Sequence, residues 1–258
     1  MIIDTHCHLS YPDFDRDRDE MLARAKAAGV EAFVTIATGP EDWRRCLDLA
    51  EGRPAVRVAM GIHPNEADIY SEKTFAELSQ LARGNNRVVG IGETGLDYYR
   101  ENSPREKQRA SFDAHLNLAE ELKKPFILHC RAAEDDMLKV LEERAATGKS
   151  LHGVWHCFSA SPDVAKRAMK LGLYFGLGGI STYPKATDVR AAAAIIPADR
   201  IVLETDCPFL PPQGWRGQRN EPAYLKKVVE VLAETRSVPP SEIERLTSEN
   251  ARRLFGEW

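Results

Sequence analysis

Along the chain, short runs that are apolar almost without interruption alternate with longer segments in which apolar residues recur every three or four positions. The short runs fall at 2–7, 32–37, 56–62, 88–93, 126–130, 153–158, 174–177 and 201–206, and are rich in Val, Ile and Leu. A strand wetted on one face alternates apolar with polar residues. Runs without that alternation predict strands covered on both faces. Between them, Ser103, Pro104 and Glu106 read as an N-cap, a first-turn proline and a capping-box glutamate, followed by Phe112, Leu116, Ala119 and Leu122 at helical spacing. Ser161-Pro162 predicts the start of another helix, Pro222 of a third, and Ser241 with Glu244 of a fourth, while Gly29 and Gly52 stand where helices should stop. Eight strands, each followed by a helix or a long connection, predict an α/β fold: a TIM-type (β/α)8 barrel occupying residues 1–258 as a single domain. The competing open, doubly wound sheet lacks its Gly-x-Gly-x-x-Gly after the first strand.

Composition narrows the function. The 258 residues include 35 basic and 39 acidic ones, a formal charge of −4, with 43% hydrophobic and 29% charged residues, which excludes a disordered or fibrous protein. No run approaches the roughly 18 apolar residues of a membrane span, and Met1-Ile2-Ile3-Asp4-Thr5-His6 has no basic start of a signal peptide. The expectation is a cytoplasmic protein with no membrane and no obligate protein partner. A net-acidic surface does not hold a polyanion by global electrostatics, so such a substrate needs local cations: bound metal, or arginines around one site. The five cysteines form no Cys-x-x-Cys pair and no disulfide framework is expected.

The chemistry gathers at strand ends. His6 and His8 end the first run, and residues i and i+2 of a strand face one way, about 6.6 Å apart along the chain, close enough to grip one metal ion. The fourth run ends at Glu93, the fifth at His129, the sixth holds His156, and the eighth ends at Asp206. The carboxyl ends of barrel strands form the face where such enzymes build their sites. Six donors exceed the roughly three protein ligands of one catalytic zinc, so two divalent ions are expected, with Glu93 bridging them because no lysine stands at a strand end to be carboxylated. One ion would take His6, His8, Glu93 and Asp206; the other Glu93, His129 and His156. A pair of ions about 3.5–4 Å apart activates water and stabilises the leaving oxygen of a displacement, and Asp206 is placed to accept the water's proton. Zn, Mn or Fe suit imidazole-rich sites better than Mg, although Mg can support activity.

The motifs Ile2-Ile3-Asp4-Thr5-His6-Cys7-His8, Gly61-Ile62-His63-Pro64, Gly90-Ile91-Gly92-Glu93-Thr94-Gly95-Leu96-Asp97, His129-Cys130-Arg131, His156-Cys157-Phe158-Ser159 and Glu204-Thr205-Asp206 occur in that order. With Asn220-Glu221-Pro222 and Asn250, the chain resembles the TatD family of metal-dependent deoxyribonucleases, amidohydrolase-like barrels, over essentially its whole length. The resemblance gives the same six residues to the metals and implies hydrolysis of DNA phosphodiesters, as a 3′-to-5′ exonuclease on single-stranded DNA. Ser10, Ala160 and Cys207 depart from the family pattern without touching a ligand, which bears on substrate preference only. The alternatives are a metal-dependent hydrolase of a small lactone, cyclic amide or phosphoester, and a hydrolase of the aminoacyl-tRNA ester. A non-catalytic binding scaffold is a further rival.

Other residues are weighed by position. His63, just before Pro64 at the rim, and Arg131, two residues beyond His129, are expected to contact a substrate phosphate, and with Glu93 and Asp206 to serve the reaction. Tyr98, Trp215 and Arg219 are the expected contacts for bases and backbone. Asp4 and Glu204, two residues deeper than His6 and Asp206, are expected to accept the outer N–H of a ligand histidine. Cys7, Cys130, Cys157 and Cys207 each follow a ligand, and strand alternation points their thiols away from the site. His152 lies about 13 Å deeper than His156, on the barrel floor, and His115 is expected at the surface or packing its helix.

Overall fold

The computed structural model describes residues 1–100, 102–149 and 151–258. Its strands are β1 (Ile2–Cys7), β2 (Val30–Ala37), β3 (Val56–Met60), β4 (Val88–Asp97), β5 (Phe126–Arg131), β6 (Gly153–Trp155), β7 (Tyr174–Leu177) and β8 (Ile201–Leu203). They form one parallel sheet in sequence order, β1 to β8. The connecting helices are α1 (Arg18–Ala27), α2 (Pro40–Ala50), α3 (Glu72–Gly84), α4 (Arg105–Leu122), α5 (Glu134–Ala146), α6 (Pro162–Lys170), α7 (Thr187–Ile195), α8 (Leu225–Arg236) and α9 (Pro240–Phe255). This is the expected (β/α)8 barrel, with one strand overlapping each apolar run, though the ends of several strands differ from those of the runs.

Two layers of core explain why the runs lack alternation. Outward residues such as Phe33, Met60, Leu128, Trp155 and Leu203 pack beneath the helices. Inward residues Ile3, Ala32, Val34, Ile36, Ala59, Ile127, Val154 and Val202 fill the barrel, where Ala251, Leu254 and Phe255 of α9 join them. Ile127, Val154 and Val202 lie one inward step below His129, His156 and Glu204. A dry floor therefore lies beneath the polar residues at the carboxyl ends of the strands.

The seam between β1 and β8 is closed by one buried carboxylate together with backbone and hydroxyl bonds. Asp4 accepts the Thr205 backbone N–H (3.0 Å), the Thr205 hydroxyl (2.6 Å) and the His6 N–H (3.3 Å). Asp206 N–H then donates to the His6 carbonyl (2.8 Å) and His8 N–H to the Cys207 carbonyl (2.8 Å). Asp4 thus corrects the expectation that it serves a histidine ring: it ties the two strands that carry His6 and Asp206. Its partners are backbone and hydroxyl groups, which spacing alone does not show.

Some local expectations shift for physical reasons. Ser103 does not cap α4; its hydroxyl accepts from Asp68 N–H (3.2 Å) and donates to the Asn65 carbonyl (3.2 Å), in the 3-10 turn Pro64–Ile69. Pro104 is the residue before the helix instead. Ser161 caps α6 as expected, accepting from Val164 N–H. The last helix begins at Pro240, so Ser241 falls inside its first turn. Gly29 and Gly52 adopt positive φ just beyond α1 and α2.

His115 is fully buried rather than a surface residue. Its Nε2 accepts the Ile62 backbone N–H (3.0 Å) and its Nδ1 faces the Ser111 carbonyl (2.6 Å), pinning α4 to the segment that presents His63. Burial pushes its pKa from 6.5 down to about 4. The unfolded chain therefore takes up a proton in a window where the folded chain does not. The contribution is complete above about pH 6.5 and is lost as pH falls towards 4, about 3 kcal/mol in all. Chemical denaturation of wild type and His115→Gln from pH 7 to 4 should show their stability difference shrinking by about that amount. Parallel curves would overturn the assignment.

Candidate metal centre

Glu93 is central. Its Oε2 lies 3.3 Å from His6 Nε2, while its Oε1 lies 2.7 Å from His129 Nδ1 and 3.6 Å from both His63 Nε2 and His156 Nε2. Asp206 Oδ1 stands 3.2 Å from His8 Nε2, 3.6 Å from His6 Nε2 and 4.0 Å from His156 Nε2. Donor atoms resolve into three groups around this pair: His6, His8 and Glu93; His6, His156 and Asp206; and His63, Glu93 and His129. All six residues expected as ligands are therefore brought together. The grouping differs from expectation in one respect. The His156 ring stacks on His6 at 3.5 Å, and it is His63 that stands with His129.

The donors fit a divalent cation. Both ring nitrogens of His6 are buried with no hydrogen-bond partner. Bonds of about 2.0–2.2 Å to one tetrahedral ion would leave its donors roughly 3.4 Å apart, and His6, His8, Glu93 and Asp206 show separations of 3.2, 3.3 and 3.6 Å. Burying imidazoles and carboxylates this close, with donors unspent, is costly unless a cation compensates them.

Supporting residues fix the rings. Glu204 Oε1 accepts the Cys157 N–H and lies 3.0 Å from His156 Nδ1, an ion-pair distance at which Nδ1 still has no hydrogen-bond partner. Gly176 makes room for it: a Cβ there would meet Glu204 Oε2 at 2.1 Å. Asp97, unassigned from the sequence, orients His129 by a hydrogen bond, with Oδ2 3.1 Å from Nε2. Gln108 of α4 clamps Asp97 by accepting its N–H (2.8 Å) and donating to its carbonyl (3.0 Å). The signal was present in the sequence as an acid four residues after Glu93, and β4 extends far enough to carry it. His63 accepts Asn65 N–H at Nδ1 (3.1 Å), so in the neutral ring Nε2 carries the proton.

Electrostatics follow. Burial opposes ionisation of Glu93, yet His156, His63 and His6 outweigh it and hold the carboxyl well below its usual range. Asp206 is likewise lowered against burial by His8 and His156. Burial disfavours charge on His156, but Glu204, Glu93 and Asp206 together lift it to about 10. Burial, with help from the neighbouring His129 and His8 and against Glu93 and Asp97, drives His63 down to about 4, which keeps it neutral.

The chain departs from strand geometry where it presents these groups. β6 stops at Trp155 and β8 at Leu203, before the ends expected from the apolar runs. Cys157 and Asp206 follow in left-handed backbone, at φ +47° and +58°. Alternation accordingly fails for Cys157, whose sulfur groups with His156 and Glu204 instead of turning away. Cys7 and Cys207 are fully buried, and Cys7 belongs with the outward core as expected.

Three expected substrate contacts are engaged elsewhere. Tyr98 donates its hydroxyl to Asp136 (3.0 Å) with Arg105 over its ring. Trp215 stacks on Tyr224 at 4.5 Å. Arg219 spends Nη1 and Nη2 on Asp17 (2.7 and 2.6 Å) and lies over Phe14. Loop side chains follow partners distant in sequence, which residue type alone does not reveal. Arg131 is exposed at the rim with its guanidinium over Tyr99 (3.8 Å). Among the described residues no helix is long and apolar enough to cross a membrane.

The family model described as TatD related DNase matches residues 3–256. The chain is 38% identical to the "uncharacterized metal-dependent hydrolase YabD" of Bacillus subtilis, covering 99% of each chain. It is 36% identical to the "3′-5′ ssDNA/RNA exonuclease TatD" of Cronobacter sakazakii, over 98% of this chain and 97% of the relative. The crystal structure of YjjV, a TatD homologue from Escherichia coli, superposes with a TM-score of 0.93 at 36% identity, covering 100% of this chain and 98% of the other.

Proposed function

The chain belongs to the TatD-related DNase family of metal-dependent hydrolases, and from that premise we propose that it hydrolyses DNA phosphodiesters as a 3′-to-5′ exonuclease on single-stranded DNA. The observation that carries this reading is Glu93, whose two oxygens face different histidine groups, as a carboxylate shared by two cations requires. His6, His8 and Asp206 would hold one cation with Glu93, and His129 the other. His156 lies within reach of both Glu93 and Asp206. Divalent cations bound there supply Lewis-acid activation of water and neutralise charge on a phosphoryl oxygen.

The chain's own residues do the rest. Asp206, its side chain 14% exposed beside His8, accepts the proton of the attacking water. His63, neutral and protonated at Nε2, donates to a phosphate oxygen, and Arg131 pairs another from the rim. Asp97 keeps the His129 ring in place, and Glu204 lies against His156 as a paired charge. The relative from Cronobacter sakazakii, whose name states a single-strand exonuclease, supports the polarity and the substrate.

Chelator-stripped protein restored with single metals tests the reading on two single-stranded oligonucleotides, one with a blocked 3′ end. The expected result is stepwise shortening from the free 3′ end only, dependent on metal. Tight metal binding with no cleavage of DNA under any metal would overturn it in favour of a small lactone, amide or phosphoester, or an aminoacyl-tRNA ester.

A further inference from the structure

Large apolar side chains exposed to solvent are few among the described residues, and two stand together beside the metal centre. Tyr11 is 39% and Phe209 43% exposed. Their rings meet edge to face at 5.2 Å, and lie 6.4 and 5.7 Å from the His8 ring.

Both are mounted on fixed backbone. Phe209 N–H donates to the Asp206 carbonyl (2.9 Å), and the fully buried Asn220 bonds the carbonyls of Phe209 (2.7 Å) and Thr205 (2.8 Å) through one amide nitrogen. Tyr11 N–H donates to the His8 carbonyl (3.0 Å), and Arg18 bonds the carbonyls of Leu9 and Tyr11. Each ring thus stands three residues beyond a proposed ligand, on a backbone hydrogen-bonded to that ligand.

We propose that Tyr11 and Phe209 form a stacking platform for the nucleobase of the terminal nucleotide, set against His8 and Asp206. The inference rests on the nucleic-acid reading above and names its base subsite. Two rings are far too small for a protein interface, which takes about 800 Å² from each partner. They match one heterocycle, and their place beside a cation site matches a ligand that carries a phosphate next to its flat face. Aromatic stacking accepts any base, so the platform confers grip without sequence preference.

The test compares an ordinary single strand with one whose 3′-terminal nucleotide lacks its base, using metal-loaded wild type, Phe209→Ala, Tyr11→Ala and Phe209→Tyr. Wild type should favour the base-bearing end in kcat/KM by about ten-fold or more, mostly through KM. That ratio should fall towards one in both alanine variants and return in Phe209→Tyr. A general disturbance of the site would slow both substrates alike and leave the ratio unchanged, which overturns the platform.

A binding arm separates this from failure of the nuclease reading. Calorimetry compares thymidine 5′-monophosphate with 2-deoxyribose 5-phosphate on wild type and Phe209→Ala. A base-dependent gain in wild type that the variant loses sustains the platform even if no DNA is cleaved. Equal binding of the two ligands, or of neither, overturns it.

Discussion

Glu93→Gln should lower DNA hydrolysis by about 10³-fold, the order seen when one preorganised charge is removed from an active site, and should reduce the metal retained after dialysis. The substitution keeps the shape and leaves one oxygen for the His129 ring. It replaces the other with an amide whose hydrogens point at His6 or at a cation, and it removes the negative charge that Oε2 and Oε1 share between the two histidine groups. Metal analysis of the dialysed variant, alongside kcat on single-stranded DNA, checks both halves. Full metal content with activity within ten-fold of wild type would reduce Glu93 to a hydrogen-bond acceptor and sink the bridging role. A thermal melt near that of wild type is the accompanying control.

The second large effect is on stability. Asp4→Ala should destabilise the fold by about 3 kcal/mol or more, because it strands the Thr205 N–H and other donors that have no water to turn to. For a chain of this size that corresponds to a fall of roughly 6–12 °C in Tm. Asp4→Asn should cost much less: its carbonyl still accepts the Thr205 N–H, and the Thr205 hydroxyl can rotate to accept from the new amide. Scanning calorimetry of the two variants decides. An alanine melt close to that of wild type would show that the carboxylate is not what holds the seam.

Much of the architecture was legible because its signals are local. The eight strands are uninterrupted apolar runs, and a barrel needs nothing more than their number and spacing to be recognised. The cluster of candidate ligands was legible because a histidine or carboxylate at the end of such a run has few structural reasons to be there. Where the reading fell short, the deciding partner lies far along the chain. Asp4 was matched with a histidine ring by strand parity, but Thr205, across the seam, claims its carboxylate. Arg219 looked free for phosphate until α1 brought Asp17 to it. Asp97 was overlooked because only the pairing of β4 with β5 places it beside His129. Phe209 and Tyr11 have no periodic pattern to mark them, since exposure of a loop residue is a property of the assembled rim.

The seam has a consequence for folding order. Because the strands neighbour one another in sequence order, each pairing from β1·β2 to β7·β8 closes a short stretch of chain. The contacts between Asp4 and Thr205 and between Thr5 and Leu203 instead span 201 and 198 residues. Contacts so remote bear the largest loop entropy and form late. His6 and His8 lie on one side of that join and Asp206 on the other. A chain still emerging from the ribosome therefore lacks the carboxylate proposed to receive the proton, and the proposed site is assembled only when the circle of strands is complete.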